Sequence, residues 1–242
     1  MSIYDISGKR IADDAPNANM SMFHRFGVCG ASWDNGFYYK NATTAAVRED
    51  LSWGANIARR NGNVFCCYAH SGVGTRTWLT NNACLARMLA DDPCDLYIIT
   101  LGGNDIGLGM NYLGSLDDIT DYESYTDYPD TFYGNYGKII EQIQGHAPKA
   151  KLIMAFAWSA NSTATRLAFA EAVQEIAEHY EIPVINWRDD PWRSSTFFSQ
   201  MLVNDHPTPA SLTGYAMCFE RLFSKCVADN HEYFLYYDGS SF

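Results

Sequence analysis

The chain has 242 residues, of which 47% are hydrophobic, so it can bury a sizeable core and is not an intrinsically disordered polymer. Its formal charge is −11, and a surface this acidic repels phosphate backbones, which argues against nucleic acid as a partner. The N-terminus lacks a basic start followed by an apolar run, and no apolar run approaches the roughly 20 residues of a membrane span. We therefore expect no membrane span and a protein that is cytoplasmic or released without a signal peptide.

Five short, nearly continuously apolar stretches are typical of parallel strands that are covered on both faces of a sheet. In chain order they are 26–30, 63–69 ("NVFCCYA"), 95–101 ("DLYIITL"), 151–158 ("KLIMAFAW") and 182–186 ("IPVIN"). Helical patterns at 44–60, 77–90, 133–146, 162–180 and 209–227 alternate with them. This alternation predicts a doubly wound α/β sheet with right-handed crossovers, whose functional loops follow the carboxyl ends of the strands.

No repeat and no linker interrupts this alternation, so we treat residues 1–242 as a single domain. Three segments lie outside it: an N-terminal arm at 1–22, an aromatic and acidic insert at 110–137, and an aromatic tail at 230–242. The insert is too long for an ordinary connection, which predicts a functional loop or lid. For the tail, packing on the body is favoured over a partner-binding strap, because aromatic side chains bury large areas. The sequence leaves the oligomeric state open.

The cysteines and histidines do not form recognisable metal motifs. The seven cysteines are an odd number without a Cys-x-x-Cys pair, which predicts buried free thiols and favours a reducing compartment. The histidines are scattered, without metal-ligand spacing. The glycine-rich stretch "GVGTRT" lacks the lysine of a phosphate-binding loop and the dinucleotide fingerprint. We therefore expect no metal and no cofactor.

Four polar or glycine positions follow predicted strands or precede the last helix. Ser32 follows the first strand, Gly72 the second and Asn104 the third, and His206 precedes the last helix. Taken alone, such a serine is usually a helix N-cap, and a histidine before proline is usually a turn residue. Together, however, they place a hydroxyl, a base, a backbone N–H and an amide on one rim of the sheet. Acyl transfer requires this set of groups.

The chain resembles the SGNH hydrolases, also called the GDSL esterase/lipase family. The resemblance rests on four blocks in the family's order: "GAS" at 30–32, "HSG" at 70–72, "GGND" at 102–105 and "HP" at 206–207. It implies Ser32 as the nucleophile and His206 as the general base. It also implies an oxyanion hole made by the N–H groups of Ser32 and Gly72 and the side chain of Asn104, with Gly74 as the alternative to Gly72. The implied fold is a flavodoxin-like three-layer α/β sandwich, a five-stranded parallel sheet between helices.

Two positions depart from the family pattern. Ala31 stands where the family has aspartate, which should alter loop support more than chemistry. Val203 stands where the family places the triad acid. We take Asp205 as the candidate acid, although neighbouring side chains in an extended loop point apart, so the loop must bend for Asp205 to reach His206. The alternatives are an acid from another loop (Asp189 or Asp190) or a Ser–His dyad oriented by a backbone carbonyl.

These features predict a serine esterase that acts on a small-molecule or glycan ester. The aromatic, acidic insert favours a hydroxyl-rich ligand, so we expect O-deacetylation of a carbohydrate. A lipid or thioester acyl hydrolase is the alternative within the same chemistry. A non-catalytic carbohydrate- or partner-binding module is the alternative of a different class, motivated by Val203.

Overall fold

The computed structural model describes residues 19–157 and 162–235. The strands in these ranges are β1 (Arg25–Gly30), β2 (Phe37–Asn41), β3 (Thr44–Val47), β4 (Val64–Ala69), β5 (Leu96–Ile99), β6 (Lys151–Phe156), β7 (Val184–Asn186), β8 (Leu202–Val203) and β9 (His206–Pro207). The helices are α1 (Trp53–Asn61), α2 (Thr75–Trp78), α3 (Leu85–Ala90), α4 (Asp117–Thr120), α5 (Phe132–His146), α6 (Ala164–His179), α7 (Thr196–Gln200), α8 (Pro209–Asp229) and α9 (His231–Leu235).

Five strands form a parallel sheet in the order β4-β1-β5-β6-β7. Cys29 of β1 pairs with Tyr68 of β4 on one side and with Ile99 of β5 on the other. The chain first moves outward from β1 to β4 and then crosses to β5, so the direction of winding reverses between β1 and β5. Open α/β sheets of this flavodoxin-like order bind ligands beyond the carboxyl ends of the strands at such a reversal. Ser32 follows β1 at this point.

Helices cover both faces of the sheet. Tyr97 and Ile99 of β5 contribute to a core that also includes residues of α5 and α6. Leu96 and Ile98 contribute to a second core with residues of α1 and α8. Successive side chains of a strand point to opposite faces, so one apolar strand supplies both cores. The predicted flavodoxin-like three-layer α/β sandwich is confirmed.

Two predicted helices differ from the structure. The helix predicted at 44–60 begins only at Trp53; its first four residues are instead β3, which forms an antiparallel hairpin with β2, and a 3-10 turn at Glu49–Leu51 follows. The side chain of Asn41 accepts hydrogen bonds from the backbone N–H groups of Thr43 and Thr44 at 3.0 and 2.9 Å, which closes the hairpin turn. The helix predicted at 77–90 is divided into α2 and α3. Asn81 accepts from the N–H of Ala83 at 2.8 Å, and this local bond competes with helix continuation.

The segment at 110–137 belongs to the body of the protein. Tyr112 and Tyr128 are buried in the core on the α5 face, and the guanidinium of Arg76 lies 4.6 Å from the ring centre of Tyr112. Its last residues are the first turns of α5, which begins at Phe132. Among the described residues, none of this segment lines the cavity that lies next to the turn of Ser32. The described residues of this segment pack on the body, and its role as a functional loop or lid stays a prediction.

The described parts of the two termini are also packed. Met20 of the arm is fully buried, and Phe234 of the tail is buried against α8. The described residues do not include most of the arm (1–18) or most of the tail (236–242). They also exclude Trp158, the end of the fourth predicted strand. All seven cysteines are buried and free, as predicted. In the ranges that the structure describes, no helix is long and apolar enough to cross a membrane.

Candidate active site

Ser32 lies in a tight turn that begins where β1 ends at Gly30. The carbonyl of Ala31 accepts hydrogen bonds from the N–H groups of Asp34 and Asn35, each at 3.1 Å, which folds the chain back on itself. A Cβ atom at Gly30 would lie 2.1 Å from Oδ2 of Asp34, so glycine alone leaves room for this carboxylate. The side chain of Ser32 is held at the carboxyl edge of the sheet, and the residue is 8% exposed.

The carboxylate of Asp34 organises the turn that carries Ser32. It accepts a hydrogen bond from the N–H of Ala31 at 2.7 Å and another from the indole Nε1 of Trp53 at 2.9 Å. Burial raises the pKa of this carboxyl group. Asp34 thus supplies the loop support that the aspartate missing at position 31 was expected to give. The sequence pattern "SWDNG" contained this residue, but a buried acid there looks the same as an ordinary turn residue.

His206 reaches Ser32 from a two-residue hairpin between β8 and β9. Val203 pairs with His206 across this hairpin. The loop residues Asn204 and Asp205 have φ angles of 48° and 58°, the left-handed region that a type I′ turn requires at both positions. Nε2 of His206 lies 2.9 Å from Oγ of Ser32. The structure thus brings the predicted nucleophile and the predicted base into hydrogen-bond contact, although they are 174 positions apart in the chain.

The backbone of the same turn orients the imidazole. Nδ1 of His206 lies 2.9 Å from the carbonyl oxygen of Asn204. A carbonyl oxygen can only accept, so Nδ1 carries the proton and Nε2 is left as an acceptor for the hydroxyl of Ser32. The rings of Phe37 and Tyr39 in β2 lie 4.7 and 6.0 Å from the imidazole, centre to centre, and limit its rotation.

None of the three candidate acids makes an ion pair with His206 among the described residues. Asp205 is exposed, and the hydrogen bond that its carboxylate was expected to accept from His206 is accepted by the carbonyl of Asn204 instead. Asp190 is buried and pairs with Arg221 through bonds of 2.7 and 3.0 Å. Asp189 is exposed, beyond the end of β7. The structure therefore corresponds to the carbonyl-oriented alternative.

The predicted oxyanion donors lie on the loops after β4 and β5. Nδ2 of Asn104 donates one hydrogen to the carbonyl of Val73 at 2.7 Å and has a second hydrogen to give. Gly72 is exposed and has a φ of 82°, and no described residue accepts from its N–H. The N–H of Gly74 already donates to Oγ1 of Thr77 at 3.0 Å. This contact favours Gly72 over Gly74 as the backbone donor.

A buried acid joins these two loops. Asp105 is 1% exposed and accepts from both the N–H and the hydroxyl of Thr75, each at 2.8 Å. Burial raises its pKa. A Cβ atom at Gly74 would lie 2.7 Å from Oδ1 of Asp105, so the second loop can approach only because residue 74 is glycine. This role of Asp105 is not evident from the sequence, because the "ND" of "GGND" is also a common turn pair.

A cavity of about 590 Å³ adjoins this site, and it is lined by chain neighbours of the site residues and not by Ser32, Gly72, Asn104 or His206 themselves. Trp33, which follows Ser32, and Asp205, which precedes His206, both line it. In the part of the chain that the structure describes, no group of three His, Cys, Asp or Glu side chains is arranged to hold a metal ion. The arrangement provides a serine hydroxyl next to an imidazole base, with N–H donors on neighbouring loops, which are the elements of acyl transfer.

Comparisons with solved structures support the fold. A protein from Bacteroides ovatus that carries the name GDSL-like lipase matches 84% of this chain and 98% of its own length, at 16% identity and a TM-score of 0.61. A carbohydrate esterase family 2 enzyme with a carbohydrate-binding domain from Corynascus thermopiles (Myceliophthora fergusii) matches 91% of this chain and 70% of its own, at 17% identity and a TM-score of 0.58. A family two carbohydrate esterase from Clostridium thermocellum, in complex with cellohexaose, covers 94% of this chain and 69% of its own, at 13% identity and a TM-score of 0.57.

The sequence comparison identifies the family. No curated protein matches the chain. The family model for GDSL-like lipases and acylhydrolases matches residues 29–211, which include Ser32, Gly72, Asn104 and His206. This match covers more than half of the chain. The chain belongs to the GDSL-like lipase/acylhydrolase family.

Proposed function

We propose that the protein is a serine esterase that hydrolyses its substrate through an acyl-enzyme. The observation that carries this proposal is the 2.9 Å contact between Oγ of Ser32 and Nε2 of His206, at the carboxyl edge of the sheet. A serine hydroxyl is a weak nucleophile until a base within hydrogen-bond reach can take its proton. Membership of a family named for its lipases and acylhydrolases supports the same chemistry.

In the proposed reaction, Oγ of Ser32 bonds to the ester carbonyl carbon while Nε2 of His206 takes the hydroxyl proton. The carbonyl oxygen becomes an oxyanion, which the N–H groups of Ser32 and Gly72 and the amide of Asn104 stabilise. Collapse of this intermediate breaks the bond to the alcohol, which leaves with the proton from His206. Water then attacks the acyl-enzyme with the same base, releasing the acid and restoring Ser32.

For the substrate, we propose an O-acetyl group on a carbohydrate. Two carbohydrate esterases that share the fold support this choice, one of them in complex with cellohexaose. The cavity has an aromatic wall from Trp33 together with the hydroxyls of Ser195 and Ser199. Aromatic faces and hydroxyl groups suit a sugar ring, which presents C–H faces and hydroxyl edges.

The test combines activity with labelling. The purified protein should hydrolyse 4-nitrophenyl acetate and release acetate from acetylated xylo-oligosaccharides. A serine-directed phosphonate should stop both reactions and add one adduct, located at Ser32 by peptide mass spectrometry. The Ser32→Ala variant should be inactive and unlabelled. An active Ser32→Ala variant would refute the mechanism, whereas activity only on long-chain esters would favour the lipid alternative.

A further inference from the structure

Three arginines line the cavity beside Ser32. Arg166 comes from α6, and Arg188 and Arg193 come from the segment that follows β7. We call these three residues the arginine cluster. Arg166 is exposed, whereas Arg188 and Arg193 are half-buried. The cluster is unexpected in a chain whose acidic residues outnumber its lysines and arginines by 28 to 17.

Within residues 19–157 and 162–235, the arginine cluster has no acidic partner. Among the described residues, no carboxylate lies within 4 Å of any of its three guanidinium groups. The Nε atoms of Arg188 and Arg193 are buried without a hydrogen-bond partner in the same part of the chain. Most other described arginines do pair with an aspartate or glutamate: Arg25, Arg48, Arg60, Arg76, Arg87 and Arg221. Asp34 and Asp205 also line the cavity, but among the described residues neither forms an ion pair with the arginine cluster, so no direct contact neutralises its three guanidinium groups.

The three charges are close enough to affect one another. Burial lowers the pKa of Arg188, and the positive charges of Arg193 and Arg166 lower it further. Tyr215 acts in the opposite direction, and no carboxylate of the described residues contributes to this shift. An anion binds more favourably to such a cluster than to a single exposed arginine. It forms hydrogen bonds with the guanidinium groups and also reduces the repulsion between them.

Aromatic rings hold the central member of the cluster in place. The guanidinium of Arg193 lies 4.2 Å from the ring centre of Phe198 and 5.6 Å from that of Trp33. Such stacking fixes the plane of the guanidinium and leaves its N–H edge for hydrogen bonds. Trp33 follows Ser32 in the chain and lines the same cavity as Arg193, so an anion bound by Arg193 would lie in the cavity that adjoins the turn of the nucleophile.

We propose that the arginine cluster binds a carboxylate of the substrate, so that the preferred esters are those of acidic sugars, such as O-acetylated uronic acids. This inference rests on the proposed function and names the substrate class of the same site. A planar carboxylate matches the paired N–H groups of a guanidinium. The carboxylate is also the acidic group that a sugar ring itself carries in a uronic acid, and the cavity has room for such a ring.

The first test measures binding without catalysis. Calorimetry on the Ser32→Ala variant compares glucuronate, glucose and glucose 6-phosphate. We expect glucuronate to bind at least about tenfold more tightly than glucose, and Arg188→Gln or Arg193→Gln to remove this difference, since one charged hydrogen bond contributes about tenfold to a hundredfold. Arg166→Gln provides a variant at an exposed position, where folding is not in question. Arg59→Gln is the matched control, because it removes one positive charge from an exposed site on α1.

The second test measures esterase selectivity. Mono-4-nitrophenyl adipate and 4-nitrophenyl hexanoate have the same chain length and test an acid on the acyl side. Acetoxybenzoate with the ester at position 4 and its methyl ester test an acid on the alcohol side. We expect one acidic ester to exceed its neutral partner in kcat/KM, with the ratio falling about tenfold or more in Arg188→Gln and Arg193→Gln but not in Arg59→Gln.

The outcomes separate this inference from the proposed function. If glucuronate binds and the cluster variants lose it, but no ester is hydrolysed, the proposed function fails and the carboxylate site stands. If esters are hydrolysed but glucuronate binds no better than glucose, the carboxylate site is refuted. Preferential binding of glucose 6-phosphate over glucuronate would also refute it. If Arg59→Gln weakens glucuronate binding as much as Arg193→Gln does, the binding depends only on the net charge of the protein. That result would overturn the assignment of the site to the arginine cluster.

Discussion

Replacing Asp205 with asparagine is expected to leave kcat/KM within about fivefold of the wild-type value. Asp205 is exposed, and Nδ1 of His206 is already bonded to the carbonyl of Asn204 at 2.9 Å. An exposed carboxylate near an imidazolium contributes about 0–1 kcal/mol, which corresponds to at most about fivefold in rate. If Asp205 instead held the Nδ1 proton of His206, its loss should cost about 10⁴-fold, as in serine proteases.

The assay is steady-state hydrolysis of 4-nitrophenyl acetate, with circular dichroism to confirm folding. The control is Asp205→Gly. Asp205 has a φ of 58°, which glycine adopts without strain, so this variant removes the carboxylate while keeping the turn. A loss of three orders of magnitude or more in both variants would show that Asp205 acts as the triad acid in solution, and would refute orientation by the carbonyl.

Three further predictions concern the residues around the nucleophile. Val203 pairs with His206 across the hairpin, so Val203→Asp should bring a carboxylate to the imidazole and raise kcat by up to about fivefold; an unchanged or lower kcat would count against this geometry. Asn104→Ala should lower kcat by about 10²–10³-fold with little change in KM, which steady-state kinetics will show, whereas an effect on KM alone would exclude an oxyanion role. Asp34→Asn should lower the free energy of unfolding by about 1–3 kcal/mol, because an amide cannot accept from both Ala31 and Trp53 in the same way. Burial raises the pKa of Asp34, so its contribution to stability is fully present below the unfolded-state pKa of about 3.9 and falls as the pH rises through the folded-state value. Thermal unfolding as a function of pH should therefore show that Asp34→Asn lowers the free energy of unfolding less at a pH above the folded-state pKa of Asp34 than at a pH below its unfolded-state pKa.

The sheet could be predicted from the sequence because its strands are short, largely apolar runs, and its central strands are buried on both faces. "DLYIITL" illustrates this, since Leu96 and Ile98 face one core and Tyr97 and Ile99 the other. Functional loops of such sheets follow the carboxyl ends of the strands, and this predicts Ser32, Gly72 and Asn104 at one edge of the sheet. The β2–β3 hairpin was missed because its alanines and threonines also fit a helix, and only the side chain of Asn41 closes the turn.

The orientation of His206 was not predictable to the same degree. Three alternatives remained open, because the side chain that faces an imidazole depends on backbone angles and not on position in the chain. The Asn204-Asp205 pair is a known signal for a two-residue hairpin, and it could have indicated a bent loop. Even so, the signal does not say whether the Asp205 side chain or the Asn204 carbonyl reaches Nδ1. The buried acids Asp34 and Asp105 were missed for a similar reason, since burial of a turn residue depends on contacts distant in the chain.

The neutral partner of His206 and the arginine cluster bear on the same energetic question. A carbonyl at Nδ1 stabilises the imidazolium less than a carboxylate does, so the chemical step loses part of its usual assistance. Binding energy from a remote part of the substrate can offset such a loss when it holds the ester in a reactive position. Arg193 is fixed against Trp33, the neighbour of Ser32, and could transmit binding energy in this way. For an acidic ester, the loss in Arg193→Gln should therefore appear in kcat as well as in KM. A loss confined to KM would show that the cluster binds ground state and transition state equally and does not compensate for the missing acid.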